Sequence, residues 1–408
     1  HPFLTDYEKA QPEEFPQPAF DSRNNEITAA WIEHTGGNDN LLFSTLTQSS
    51  NNFGPTYIIQ NVAKGIGDPD IGILPDTSYA FVWTQNRLSP AQINDSTNYS
   101  IDDIIRAQDV WMAYFDHTTN SITFNEPLVD DSSSLFSGRI EGSPSIAMGP
   151  GVTGSITWEA GDINFNSNEI YYTVITQTGT TTTITSPLQL TNIGGSNRKV
   201  KISYFNDNQA IALWIYDPDN NESTINSLVL QCIWDGNSWS DTSTFIPNSG
   251  YNVFKDVNLD FNDNYCVVSV IASNYIDSND VIESINNWVF ESTGTVNMIH
   301  QWQDTSSTHY FQKAVVSISD NNIGTVTYQK LPLYDNIVTP NQGVIQMLVK
   351  NIATPTNWNL INNDPLLGNG SNNFVYDMDA GFGDGNNFYT LEHETSTTGD
   401  VITPYPSG

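Results

Sequence analysis

The chain has 408 residues and a formal net charge of −33, produced by 46 acidic residues against only 13 Lys and Arg. Charged residues make up 14% of the chain, below the roughly 25% of typical globular proteins, so the surface must be dressed with Asn, Ser, Thr and Asp. Such a surface excludes a nucleic-acid partner, because phosphate binding needs clustered Lys and Arg.

Apolar residues are 38% of the chain, with 10 Trp, 18 Tyr and 19 Phe, enough to fill a core. No run of about 18 apolar residues exists, so no membrane insertion is expected. The chain opens at His1 without Met or a signal-like apolar segment. The expectation is a mature exported protein, secreted, periplasmic or on the cell surface, and a monomer. Cys232 and Cys266 lie in the apolar runs LVLQCIW and NYCVVSV and are expected as buried free thiols.

Taken in chain order, a short turn recurs. It reads FDSRNNEI from Phe20, LPDTSYAF from Leu74, GPGVTGSI from Gly149, FNDNQAI from Phe205, FNDNYCV from Phe261, SDNNIGTV from Ser319 and FGDGNNFY from Phe382. Marked at Asp21, Asp76, Pro150, Asn206, Asn262, Asp320 and Asp384, the turns are 55, 74, 56, 56, 58 and 64 residues apart. Each separates two short runs of alternating or continuous apolar residues, the pattern of antiparallel strands. The second run closes on an aromatic at Trp31, Trp83, Trp158, Trp214 and Tyr328. A polar loop, a third strand and a weaker fourth strand rich in Thr, Ser and Pro follow. Helix signals are nearly absent; the best, Ser100 to Gln108, falls inside the loop after Trp83.

A unit of this length cannot bury its own core and must stack on its neighbours. The prediction is a single all-β domain, a seven-bladed β-propeller of four-stranded antiparallel blades. The blades fall at 15–63, 64–137, 138–195, 196–249, 250–308, 309–370 and 371–408, and residues 1–14 complete the short last blade, closing the ring. The second-strand aromatics should face between blades. In this pattern the chain resembles the seven-bladed propellers of secreted bacterial proteins, of the broad sialidase-like or BNR-like kind. It departs from them in lacking the Asp-box, Ser-x-Asp-x-Gly-x-x-Trp.

Propeller geometry would gather the starts of the first strands and the loops between second and third strands at one end. Those loops are the long ones, so a site belongs there. Seven residues before the turn stand Lys199, Lys255 and Lys313, and Arg198 adjoins the first. This places four of 13 basic residues at the predicted channel mouth, where they could attract an anionic group. Acidic residues at similar places, Asp70, Glu141, Asp256 and Asp377, could instead pair with them. The ligand-binding set is therefore Arg198, Lys199, Lys255, Lys313, Asp70, Asp256 and Asp377.

Two further patterns carry chemistry. The second strands of the first and last blades end in Glu33-His34 and Glu392-His393. These suit acid–base work or Zn²⁺, or coincide as solvated strand ends. Asp217, Asp219 and Asn221 offer oxygens at alternate positions and could hold Ca²⁺, although the full twelve-residue calcium loop is absent. No GxSxG elbow, Walker loop or dinucleotide glycine motif occurs, and with five arginines a sialidase-type arginine triad is not expected.

The leading expectation is a non-catalytic binding propeller for a glycan or protein ligand of the extracellular space, with exposed aromatics stacking on sugar rings. The alternatives are a polysaccharide lyase or glycoside hydrolase acting on an acidic sugar, with His34, His393 and Lys255 as its catalytic residues, and a structural or adhesive module. Some lyases resemble this architecture and use His, Tyr and a cation near the channel mouth.

Overall fold

The computed structural model describes residues 18–407 apart from short internal stretches, the longest being 130–137, 246–252 and 361–373. The predicted closing segment 1–14 lies outside the described residues. The chain forms two compact units, His1–Ile202 with Tyr216–Thr224, and Ser203–Ile215 with Ile225–Gly408.

The described residues follow a largely antiparallel plan, repeated in chain order, with one parallel pair, Asn168–Ser196, joining the third and fourth modules in a single nine-stranded sheet. The first module is β1 (Pro18–Arg23), β2 (Glu26–Thr35), β3 (Asn38–Thr47) and β4 (Tyr57–Val62). The second is β5 (Ile66–Ile73), β6 (Tyr79–Asn86), β7 (Gln108–Asp116) and β8 (Ser121–Pro127), with helices α1 (Pro90–Ile93) and α2 (Ile101–Arg106) between β6 and β7. The third is β9 (Arg139–Met148), β10 (Thr153–Asp162) and β11 (Asn168–Thr178), with short β12 (Thr181–Ile184) and β13 (Leu188–Gln189) pairing on β11.

The fourth module is β14 (Ser196–Asn206), β15 (Gln209–Asp217), β16 (Leu228–Trp234) and β17 (Ser243–Thr244); β14 and β15 contribute residues to both units. The fifth is β18 (Val253–Phe261), β19 (Tyr265–Asp277), β20 (Asp280–Glu291) and β21 (Asn297–Ser306). The sixth is β22 (His309–Ile318), β23 (Ile323–Tyr334), β24 (Ile337–Val338), β25 (Val344–Asn351) and β26 (Asn359–Leu360), and the seventh is β27 (Phe374–Phe382), β28 (Phe388–Ser396) and β29 (Gly399–Ser407). The Asp/Asn/Gly turns fix each hairpin's register.

Second-strand aromatics do lie between modules. In the first unit Trp83 packs with Ala30, Ile32, Leu41 and Phe43 of the first module. Trp158 packs with Ala80, Val82 and Met112 of the second. In the second unit Tyr328 packs with Val267, Ile271 and Ile285 of the fifth module. Trp31 differs, being only half-buried. Cys232 and Cys266 are buried free thiols, as expected.

Helix α2 forms at the predicted place because Ser100 caps it and Asp103 bonds back to the Ser100 N–H. The same box, Ser89 with Gln92, sets the unpredicted α1, with Pro90 in its first turn. Neither helix buries a residue. Helices this short do not hold themselves together in water, so these stay folded through caps and loop contacts.

First strands other than β14, which meets β11 in one parallel pair, have one edge with no strand beside it, and their N–H groups need acceptors. The sequence answers with a repeated carboxylate. Asp21 accepts from its own neighbour Ser22 N (2.8 Å) and from Ile73 N of the next first strand (2.6 Å). Asp70 accepts from Ile71 N and from Ile146 N, both at 2.9 Å. In the second unit Asp260 accepts from Phe261 N (2.8 Å) and Ile318 N (2.9 Å), and Ser317 Oγ accepts from Phe382 N at 3.0 Å. Each clasp ties one module's first strand to the next.

These carboxylates are enclosed. Burial pushes Asp21 up to about 7 and Asp260 up to about 6, although the backbone N–H donors pull the other way. A carboxyl raised in the folded state contributes stability that is complete below its unfolded value and lost as pH rises through the folded one. The Asp21 contribution is therefore lost between about pH 4 and about pH 7. Asp21→Asn, which keeps an acceptor for Ile73 N but cannot ionise, should flatten the fall in melting temperature over that range. Melting curves of both proteins across pH check this; parallel curves would sink it.

Candidate functional site

In the second unit a polar cluster sits where the first strands of the fifth and sixth modules begin. The first strand β18 is bulged at Lys255, which stands unpaired between the Phe254–Ala272 and Asp256–Ile271 pairs. Bulges re-aim side chains. Here Lys255 Nζ reaches both carboxylate oxygens of Glu283 on β20, at 2.6 and 2.7 Å. Ser273 Oγ on the intervening strand donates to the same carboxylate at 2.9 Å. The ammonium also lies 4.1 Å from the ring centroid of Tyr310 on β22. Burial lowers the Lys255 pKa, opposed by the Glu283 charge.

Beside it Lys330 on β23 pairs with Asp304 on β21 at 2.8 Å and lies 5.4 Å from the Phe311 ring centroid. His309 opens β22. Its Nδ1 is 3.0 Å from Thr308 Oγ1 and 3.4 Å from Ser306 Oγ. Burial, then the Lys330 charge, lowers its pKa, so the ring is neutral near pH 7. His309 and Tyr310 are half-buried, with Thr308 exposed beside them.

In the first unit a second polar group lies under the loop that carries α1 and α2. Arg87 Nε pairs with Asp109 at 2.8 Å. Glu141 on β9 is 2% exposed, and its Oε2 accepts from Val110 N at 3.1 Å. Burial pushes Glu141 up to about 8, against the Val110 N–H and helped by the Asp109 charge. Burial likewise pushes Asp109 up to about 6, against Arg87. Arg139 lies 5.2 Å from the Tyr171 ring centroid.

First strands of the second to fourth modules repeat one strained position. Asp68, Ser143 and Lys199 have φ of 46°, 47° and 57°. Non-glycine residues seldom adopt that region. At Lys199 the turned backbone gives its N–H to Glu159 Oε1 at 2.7 Å.

Of the predicted site residues, Asp70, Arg198 and Lys199 belong to the first unit and Lys255, Asp256, Lys313 and Asp377 to the second. Lys255 lies in the cluster, but its partner is Glu283 rather than Asp256, the adjacent residue that follows the bulge. Asp70 faces the charge of Lys201, two residues beyond the predicted Lys199, and is occupied as a clasp. Arg198 stands near the buried Asp217. The Asp217 carboxylate accepts from Asp219 N at 3.3 Å, a turn-capping role for the proposed Ca²⁺ ligands; Asn221 lies outside the described residues. Lys313 is half-buried on β22, in the bulge opposite Gln329.

His34 pairs in register with Asp39 on β3, and His393 with Asp377 on β27. The side chains of His34, His393 and Asp377 lie outside those described. His34 and His393 belong to different units. Sequence reasoning missed Glu283, Asp304, His309, Tyr310 and Lys330. A lone charge inside a strand, as in TYQKLPLY around Lys330, was the available signal.

No helix among the described residues is long and apolar enough to cross a membrane. No protein-family model matches the chain, and no curated protein matches it. Among solved structures it is similar to the polysaccharide lyase Uly1, with a TM-score of 0.57, 10% identity, and coverage of 96% of this chain and 89% of that one. It is also similar to the ulvan lyase of polysaccharide lyase family PL25, with a TM-score of 0.54, 8% identity, and coverage of 96% and 91%. The α-L-arabinofuranosidase of Fusarium graminearum scores 0.47 at 10% identity, covering 84% and 92%. At these identities the first two likenesses show the fold: the chain has a β-propeller fold shared with polysaccharide lyases.

Glu283 is buried and Lys255 nearly so, with side-chain exposures of 5% and 18%. Removing one member of such a pair strands the other, at a cost of about 3 kcal/mol, whereas an apolar replacement of both costs much less. Chemical denaturation should show Glu283→Leu as the most damaging change and Lys255→Met/Glu283→Leu as a partial rescue. A double variant worse than Glu283→Leu would contradict this account.

Proposed function

We propose that this protein is a glycan-binding propeller of the extracellular space that holds its ligand, without catalysing a reaction, against Tyr310 and His309 in the second unit. The observation that carries the reading is the state of the cations there. Lys255 is matched by Glu283 and Lys330 by Asp304, so the cluster adds little positive charge to a protein of net charge −33. An anion gains little at such a site. A sugar fits better, because its hydroxyls both donate and accept, and its apolar face stacks on an aromatic ring. This revises the expectation of an anionic ligand while keeping the glycan class. The propeller fold shared with two polysaccharide lyases supports the reading at the level of fold only.

A second reading is eliminative cleavage of a uronate polymer. His309 favours it, because burial and the Lys330 charge lower its pKa and leave a neutral imidazole able to take up a proton near pH 7.

A glycan array with neutral and acidic polymers separates the two. Binding reads out on neutral glycans and should weaken about tenfold or more in Tyr310→Ala, the loss typical of an aromatic anchor. Unchanged affinity in Tyr310→Ala and Lys255→Met removes the site assignment. Growth of ultraviolet absorbance from an unsaturated uronate product, absent in His309→Ala, would replace binding by cleavage.

A further inference from the structure

The loop between β6 and β7 in the first unit has features that the second-unit site does not explain. It runs from Arg87 to Ala107 and contains two helices, yet neither helix contributes a residue to the core. Its base is closed by polar contacts and by the buried Ala107. Arg87 N donates to Ala107 O at 2.8 Å, Arg87 Nη2 to Arg106 O at 3.1 Å, and Asn86 Nδ2 to Ile104 O at 2.7 Å. The remaining tie is the Arg87–Asp109 ion pair, in which Arg87 is 43% exposed. Segments held mainly by polar contacts at their base, with few buried residues, open at lower free energy than core strands.

Against this loop stands Glu141. Helix α2 packs on β9, the strand that carries it. Glu141 Oε2 is satisfied by Val110 N, while Oε1 is buried and has no hydrogen-bonding partner among the described residues. A buried polar atom without a partner costs on the order of 1–3 kcal/mol, and so invites a ligand that supplies the missing bond. Next to it the Asp109 carboxylate gives one oxygen to Arg87 and keeps the other as an acceptor. A protonated Glu141 and an ionised Asp109 together present one donor and one acceptor, with the negative charge matched by Arg87.

We propose that residues 87–107 are a lid over a second saccharide subsite, in which Glu141 Oε1 and Asp109 engage neighbouring hydroxyls of a neutral sugar once the lid opens. An anionic sugar is disfavoured there by Asp109, and a cation by Arg87. The charged groups that act on Glu141 are Asp109 and Arg87 from the second module and Arg139 on its own strand, and Tyr171 on β11 feels its charge. The subsite shares a ligand class with the reading above but none of its residues.

The test uses the full chain carrying Tyr310→Ala, which silences the second-unit site, and reads saturation-transfer NMR with maltohexaose, cellohexaose, xylohexaose and mannohexaose. At least one hexasaccharide should bind. Affinity should fall about tenfold in Asp109→Ala and Glu141→Leu, the usual scale for losing a buried hydrogen-bonding group. Glu141→Gln, which keeps a donor, should bind like its parent and lose the decline that the parent shows as pH rises past about 8. Hydrogen exchange should show the lid amides opening faster than those of β9, and slowing when sugar is bound. If Glu141→Leu fails to fold, the Asp109→Ala and Glu141→Gln comparisons decide alone. Silence from all four sugars, equal binding in Asp109→Ala, or lid amides as protected as β9 overturns the proposal. Loss of all binding on Tyr310→Ala overturns it while leaving the second-unit site standing.

Discussion

The structure depends on how the unpaired edge of each first strand finds hydrogen-bond acceptors. Inner strands of a module satisfy one another, but the first strand, β14 apart, has a sheet partner on one side only. A side-chain carboxylate, held in place by its own following N–H, reaches the next first strand. The same logic recurs elsewhere on the first strands. Asp39 accepts from Gly65 N and Ile66 N, Glu159 from Lys199 N, and Ser227 Oγ from Phe254 N. Enclosing a carboxylate costs desolvation, and the raised values of Asp21 and Asp260 register that cost. What is gained is a directional link between modules that apolar packing alone cannot supply.

Cations are scarce and each has a local task. Arg23 donates to four backbone carbonyls, those of Ile73, Gly149, Pro150 and Gly151. Arg87, Lys255 and Lys330 each match one carboxylate. A surplus of acids over bases therefore coexists with charge-matched interior clusters. This explains why a count of lysines near a rim is a poor guide to ligand charge: a matched cation presents geometry more than field.

Much of the fold was legible. Turn spacing located the modules, and the aromatic closing the second strand marked the packing between them, because period-2 patterning and hairpin turn chemistry are local properties. The helix at Ile101–Arg106 was legible from Ser100 and Asp103, whereas α1 was passed over although Ser89, Pro90 and Gln92 carry the same signature. The site was legible only in part. Lys255 was singled out by its place in the repeat, but Glu283 lies 28 residues away on another strand, and nothing local to either announces the other. His309 and Tyr310 gain their meaning from what faces them.

By itself, then, the sequence determined an all-β chain of repeated antiparallel modules, poor in cations, because strand period, turn residues and net charge are sums over neighbours along the chain. Only the tertiary structure decided which carboxylate meets which cation, that Asp21, Asp70 and Asp260 clasp adjoining strands, and that Glu141 is buried with an oxygen unmatched. Those outcomes rest on distances between segments far apart in sequence and on the loss of water around them, and burial and pairing are settled only when the strands have packed.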